Sequence, residues 1–242
     1  MKKVGFGGVY INGYQITNTI RRNTISILSN ATKNGQKFII KFTKGYDELY
    51  YIDNFYCDTI LKPIEHFFSR NYYVSVFDPF TFDLYDFISF HNIIPLEISL
   101  KIIEDCFSAL YYLHCSCSVL HNNIKLENVL IYDNGNGTYS TKLCDFQGAV
   151  ILNDDEKCFS NYGTPGYFPP EYYLNIGRSY YSDVYSLGVT LRYLWYRTDK
   201  NSKNQQFVDS MSELLGQMVN EEPSKRPTAQ ECYSKIYYSK IQ

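Results

Sequence analysis

At 242 residues, with 45% hydrophobic and 17% aromatic content, the chain can bury a substantial core, either as one large domain or as two smaller lobes. A formal net charge of -2 and the lack of any Lys/Arg run exclude a broad basic surface, so neither nucleic acid nor an anionic membrane is the expected partner. Seven cysteines, odd in number and without C-x-x-C spacing, fit reduced intracellular thiols, and no apolar run has the length of a membrane span or of a signal-peptide core behind Met1-Lys2-Lys3. A soluble protein is expected.

The first third reads as strands. Tyr14 to Ile20, Ile25 to Ser29 and Lys37 to Phe42 are short β-rich runs, and Asn34-Gly35 between the second and third is a hairpin turn signal. Ile60 to Phe67 and Tyr72 to Phe77 form a further pair across Ser69-Arg70-Asn71, which predicts a five-stranded antiparallel sheet. The helical stretch Tyr46 to Phe55 interrupts it. Gly5-Phe6-Gly7-Gly8-Val9-Tyr10 precedes the first predicted strand and reads as a surface or capping segment, while Asp78-Pro79-Phe80-Thr81 ends the last strand as a hinge.

Beyond that point the pattern is helical. Ile98, Ile102, Phe107, Leu110 and Leu113 fall on one face of a helix from about Glu97 to Cys115, and Asp183 to Arg197 is apolar on most sides, as a buried central helix would be. Phe207, Met211, Leu214, Leu215, Met218 and Val219 repeat at helical spacing, and Thr228-Ala229-Gln230-Glu231 is a capping box that opens a last helix. A β-rich front and a helical back predict an α+β chain of two lobes, residues 1–78 and 79–242.

Onto this frame falls His121-Asn122-Asn123-Ile124-Lys125-Leu126-Glu127-Asn128, which resembles the H-R-D-x-K-x-x-N catalytic loop of eukaryotic protein kinases. In that family the Asp takes the proton of the substrate hydroxyl and the final Asn holds magnesium. Asn123 stands at the Asp position, and an amide has the shape of a carboxylate without its charge or basicity. Asp145-Phe146-Gln147 resembles D-F-G, with Asp145 implied as a magnesium ligand beside Asn128. Gly163-Thr164-Pro165 through Pro170-Glu171 resembles the segment that ends in A-P-E, Asp183 to Gly188 the start of the central helix, and Arg226 the arginine that pairs with Glu171. His121, Phe146, Thr164, Glu171, Asp183 and Arg226 are thereby implied as structural parts, and Lys125 as the loop lysine.

The front matches less well. Ile39-Ile40-Lys41 resembles the V-A-I-K strand, which makes Lys41 the implied phosphate lysine and Glu48 its helix partner. Only seven positions separate them, fewer than the family spacing, which argues against a formed ion pair and for a shortened regulatory helix. The phosphate-covering loop falls at Arg21 to Leu28, where Arg21, Asn23 and Ser26 occupy all three glycine places. Ile39 stands where the family usually has Ala beside the adenine ring, Phe77 matches the family residue that controls the back of that pocket, and Asn122 stands in place of an arginine that receives activation-segment phosphate in many kinases. ATP and magnesium are the family's ligands, and these losses predict that binding is weak or absent and that neither is required.

The resemblance therefore implies a bilobal protein-kinase-like fold with two readings of function. One is a pseudokinase that acts through a protein partner, with another kinase as first candidate; the other is a divergent Ser/Thr kinase with residual phosphotransfer through Lys41, Asn128 and Asp145. An Asn engineered in place of a natural Asp would not restore the glycines or shrink Ile39. The wording H-N-N-x-K-L-E-N-V-L is also similar to kinases of large insect DNA viruses, of the baculovirus type, which implies a host cytoplasmic setting with the nucleus as the alternative.

Overall fold

A computed structural model describes residues 8–45, 47–153 and 156–239. The chain divides into two compact units, Met1–Asn54 with Lys62–Pro79, and Phe55–Leu61 with Phe80–Gln242. In the first, strands β1 (Val9–Ile11), β2 (Tyr14–Arg22), β3 (Ser26–Lys33), β4 (Gln36–Thr43), β5 (Glu65–Ser69) and β6 (Tyr72–Phe77) form a sheet in the order β1-β2-β3-β4-β6-β5. All neighbours are antiparallel. Helix α1 (Asp47–Ile52) lies between β4 and β5 in the chain.

Six strands replace the five expected. Val9 and Tyr10, read above as part of a surface or capping segment, belong to β1, while Gly5 to Gly7 lie outside the described residues. The turn that returns β1 onto β2 is Asn12-Gly13, with φ of 48° and 80°, the same chemistry that closes β3 on β4 at Asn34-Gly35 with φ of 53° and 80°. The strand expected from Ile60 begins only at Glu65, since Pro63 has no N–H to give a ladder. Ile60 instead makes an isolated bridge to Leu143 within the second unit.

Alternation along β3, β4 and β6 sorts the sheet's two faces. Ile27, Ala31, Ile40, Phe42, Val74 and Val76 bury on one side with Ile11, Tyr14 and Ile16 as the core of this unit. Register then pairs Ile39 with Phe77 and Lys41 with Ser75, so those four side chains share the other face.

The second unit contains β7 (Phe82–Asp83), α2 (Leu84–Phe90), α3 (Leu96–Tyr111), β8 (Val119–Leu120), β9 (Val129–Asp133), β10 (Tyr139–Leu143), β11 (Val150–Ile151), α4 (Pro170–Tyr173), α5 (Tyr180–Arg197), α6 (Gln205–Met218) and α7 (Ala229–Ser239). Helix α3 continues into a π-helical turn, Tyr112–Ser116. The predicted central helix, α5, buries Val184, Leu187, Gly188, Leu191 and Leu194 but exposes Arg192, Tyr193 and Tyr196, so it is covered on one side and not all round. Gly188 is needed where α5 meets α6, because a Cβ there would come within 2.7 Å of the Met218 Cβ. The capping box at α7 forms as read: Thr228 N donates to Glu231 Oε2 at 2.7 Å and Glu231 N to Thr228 Oγ1 at 3.2 Å.

Short strands position the loops. β9 and β10 form a hairpin across Asn134-Gly135-Asn136-Gly137, and β8 pairs with β11. Residues 121–128 leave β8 and enter β9, while Asp145 to Gly148 leave β10 and enter β11, so the two pairings bring both segments to one place.

Candidate functional site

In the second unit, Asp183 at the start of α5 fixes the loop backbone. Its Oδ2 accepts from His121 N at 2.6 Å and its Oδ1 from Asn122 N at 2.9 Å, and His114 Nε2 lies 3.1 Å from Oδ2. Burial pushes this carboxyl up, but the bonds and charge from His114 and the bond from His121 N outweigh it and hold it below the ordinary carboxylate range. The bond matters because Asn122 takes φ of 65°, a left-handed conformation that Asn tolerates and that a fixed anchor keeps in place. His121 packs on Phe146 with ring centroids 4.8 Å apart, and its burial holds the imidazole below its ordinary pKa.

Around that scaffold Asn123, Lys125, Asn128, Asp145 and Thr164 come together. Asn123 Nδ2 donates to Asp145 Oδ2 at 3.0 Å, Thr164 Oγ1 donates to Asn123 Oδ1 at 3.1 Å, and Lys125 Nζ donates to Thr164 Oγ1 at 2.9 Å. The network fixes which way the amide points. Lys125 has no acceptor, so it must donate to Thr164, whose single proton then goes to the Asn123 oxygen; the Asn123 nitrogen is left for the carboxylate. Asn128 Nδ2 donates to Asn123 O at 2.8 Å and lies 3.4 Å from Asp145 Oδ2. Asp145 itself is left-handed, φ 69° and ψ 71°, a sparsely populated conformation of the kind found at functional sites.

Asn128 and Asp145 both carry side-chain oxygens of the hard type that magnesium takes, but it is the Asn128 nitrogen that faces Asp145 Oδ2. Gly163, one residue before Thr164, has φ of 134°, and a Cβ there would meet the Phe168 ring at 2.4 Å and Asn122 O at 3.0 Å. Glu171 and Arg226 form a buried bidentate pair, with Nη1 to Oε1 at 2.7 Å and Nη2 to Oε2 at 2.8 Å, and Ser182 Oγ donates to Glu171 Oε1 at 2.7 Å.

In the first unit Lys41 and Glu48 form the ion pair that their short separation along the chain had counted against. Lys41 Nζ lies 2.7 Å from Glu48 Oε1 and 2.7 Å from Oε2, and Glu48 is buried. A short connector and a short helix still reach, because α1 starts within one turn of the end of β4 and Glu48 is in its first turn. Ile39 and Phe77, the residues expected beside adenine, are both buried and lie directly opposite each other on β4 and β6.

Ser26 opens β3, and the turn before it, Asn23 to Ile25, is closed by a side chain that sequence reasoning had counted only as a lost glycine. Asn23 Oδ1 accepts from Ile25 N at 2.8 Å, Ser26 N at 2.6 Å and Ser26 Oγ at 3.2 Å. The N–H groups of Ile25 and Ser26 are therefore engaged within the turn, whereas in a glycine-rich loop such backbone groups cradle phosphate. The signal was legible as an Asn followed three residues later by Ser. Arg178, which donates to the main-chain oxygens of Ser160 and Tyr162 ahead of Thr164, was also missed, and nothing in its sequence context marks it.

The family described as protein kinase domain matches residues 5–238 of the chain. Among similar proteins, a probable cell cycle serine/threonine-protein kinase, CDC5 homolog, of Encephalitozoon cuniculi is 27% identical over 161 residues, covering 58% of this chain and 33% of its own. Phytosulfokine receptor 1 of Arabidopsis thaliana is 33% identical over 145 residues, 58% of this chain and 14% of the receptor. Serine/threonine-protein kinase DCLK2 of Mus musculus is 29% identical over 180 residues, 65% of this chain and 23% of that protein. The chain thus corresponds to a third or less of the length of these relatives.

Proposed function

Because the chain belongs to the protein kinase domain family, the group that stands where its proton acceptor belongs decides what it can do, and we propose that the protein is a catalytically impaired kinase acting through a protein partner. The observation that carries this reading is the 3.0 Å bond from Asn123 Nδ2 to Asp145 Oδ2. A carboxylate could not make that bond; the site is built around a neutral donor where a substrate hydroxyl would need an acceptor. The turn closed by Asn23 and the buried Ile39 support weak or absent nucleotide binding, in keeping with a role that requires neither ATP nor magnesium.

Residual phosphotransfer is the second reading, and one observation favours it. The Lys41–Glu48 pair is formed, and Asn128 stands beside Asp145, so the positioning groups that supply much of the rate in phosphoryl transfer are retained.

A partner of kinase type is part of the first reading, and the likeness of residues 121–130 to baculovirus-type kinases supports host or viral kinases as candidates. A cytoplasmic setting is supported by the seven cysteines, none of which forms a disulfide. No helix among the described residues is long and apolar enough to cross a membrane. The test compares wild type with a Lys41→Ala, Asp145→Ala double variant in binding to a purified candidate kinase. Equal affinity supports a role independent of nucleotide; loss of binding by a folded double variant returns the enzyme reading to first place.

A further inference from the structure

Arg178, between α4 and α5, is buried with 3% of its surface exposed, and among the described residues no carboxylate stands in ion-pair range of it. Its guanidinium donates instead to main-chain oxygens: Ser160 O at 2.5 Å, Tyr162 O at 2.9 Å and, more distantly, Asn122 O at 3.4 Å. Its own backbone pairs with Cys158 in both directions at 2.8 Å. A buried cation without a counter-ion is costly, and carbonyl oxygens replace its lost water only if the chain is held so that they converge on the planar fork.

Neighbouring substitutions add to the same arrangement. Asn122, at the place of the phosphate-receiving arginine, donates through Nδ2 to Gly148 O at 2.9 Å and reaches Cys158 Sγ at 3.5 Å. Gln147, at the D-F-G glycine place, accepts from the Tyr162 hydroxyl at 3.0 Å, and Gly148 leaves room for the Tyr162 ring, since a Cβ there would lie 2.1 Å from it. The three hydroxyls of the segment are all in internal bonds: Ser160 Oγ accepts from Tyr162 N, Tyr162 binds Gln147, and Thr164 sits between Lys125 and Asn123.

We propose that Arg178 is a resident positioning cation for residues 158–164, holding Thr164 against Asn123 and Lys125 in the unmodified protein, so that order in this segment does not depend on phosphorylation of Ser160, Tyr162 or Thr164. The guanidinium draws together the carbonyls on either side of Asn161 and the carbonyl of the loop residue before Asn123. Phosphorylation at any of the three hydroxyls would break a bond that already orders the segment, and the cation it would seek is already engaged.

Amide hydrogen exchange on the full chain tests this, comparing untreated protein, phosphatase-treated protein, Arg178→Met and Arg178→Lys. Phosphatase treatment should change nothing. Arg178→Met should speed exchange at residues 158–164 by at least roughly tenfold to a hundredfold, the loss that a single charge-assisted bond implies, while α6 and α7 keep their protection. Arg178→Lys, which keeps the charge without the fork, should fall between. Protection lost on phosphatase treatment, or unchanged in Arg178→Met, would overturn the proposal. If the Met variant unfolds throughout, the Lys variant decides: faster exchange confined to the segment supports the proposal, and no rise or a rise everywhere contradicts it.

Discussion

Replacing Asn123 by Asp restores the family's catalytic letter, yet the structure predicts that it weakens the fold. The amide nitrogen that donates to Asp145 becomes a second carboxylate oxygen, leaving two like charges about 3.0 Å apart. At that separation the repulsion is about 1.4 kcal/mol in water-like surroundings and about 5.5 kcal/mol at an effective dielectric of about 20. Asn123 is 7% exposed and Asp145 half-buried, so the cost lies within that bracket. The pair escapes part of it by holding one proton between its two carboxyls. Because the folded variant then binds more protons than the unfolded chain, the penalty is absent below the ordinary carboxylate pKa and grows as pH rises above it. Differential scanning of wild type and Asn123→Asp, in chelator, should show a lower melting temperature for the variant at pH 8, by about 2–4 °C for each kcal/mol in a domain of this size, and a smaller gap at pH 5. Magnesium, by screening the two carboxylates, should narrow the gap at pH 8. A variant as stable as wild type at pH 8 in chelator would refute the reasoning, since the Asn123–Asp145 bond would then be dispensable.

Arg226→Ala should destabilise the protein by roughly 3–5 kcal/mol, because it leaves the buried Glu171 carboxylate without its bidentate partner; an unchanged denaturation midpoint would contradict this. Glu171 is subject to burial that raises its pKa, but Arg226 and Ser182 hold the carboxyl below the ordinary range, so its contribution is present above about pH 4 and lost as pH falls below it. Glu171→Gln should accordingly show a shallower loss of stability on acidification than wild type, measured by urea midpoints between pH 3 and pH 6. Millimolar ATP with magnesium should leave the melting temperature nearly unchanged, whereas saturation about a hundredfold above Kd would add about 2.7 kcal/mol and several degrees.

Much of the second unit was legible because its signals are chemical and local. The Thr228–Glu231 box is specified by residue type at fixed spacing and the Glu171–Arg226 pair is implied by the kinase resemblance, and the structure forms both, whereas the bonds from Asp183 to the loop backbone were not foreseen. What failed depended on geometry that spacing does not carry. The Lys41–Glu48 distance along the chain argued against contact, but a strand end and the first turn of a helix bring close positions together. β1 was missed although Asn12-Gly13 is the same turn signal as Asn34-Gly35, because a three-residue strand has too little alternation to register. The strand read from Ile60 ignored Pro63. Asn23 was counted only as a missing glycine, when its side-chain oxygen is what closes the turn. Arg178 gave no signal at all, since a single arginine in a polar stretch normally faces solvent and only the tertiary structure converges carbonyls on it.

The central claim is that the Asn123 position cannot serve as a proton acceptor, and transfer of labelled γ-phosphate from ATP tests it most directly. Purified wild-type chain, with magnesium and generic protein substrates, should incorporate no label into itself or into substrate, and Asn123→Asp alone should not restore transfer. Incorporation by wild type that disappears in both Lys41→Ala and Asp145→Ala would contradict the claim and establish the chain as an active kinase.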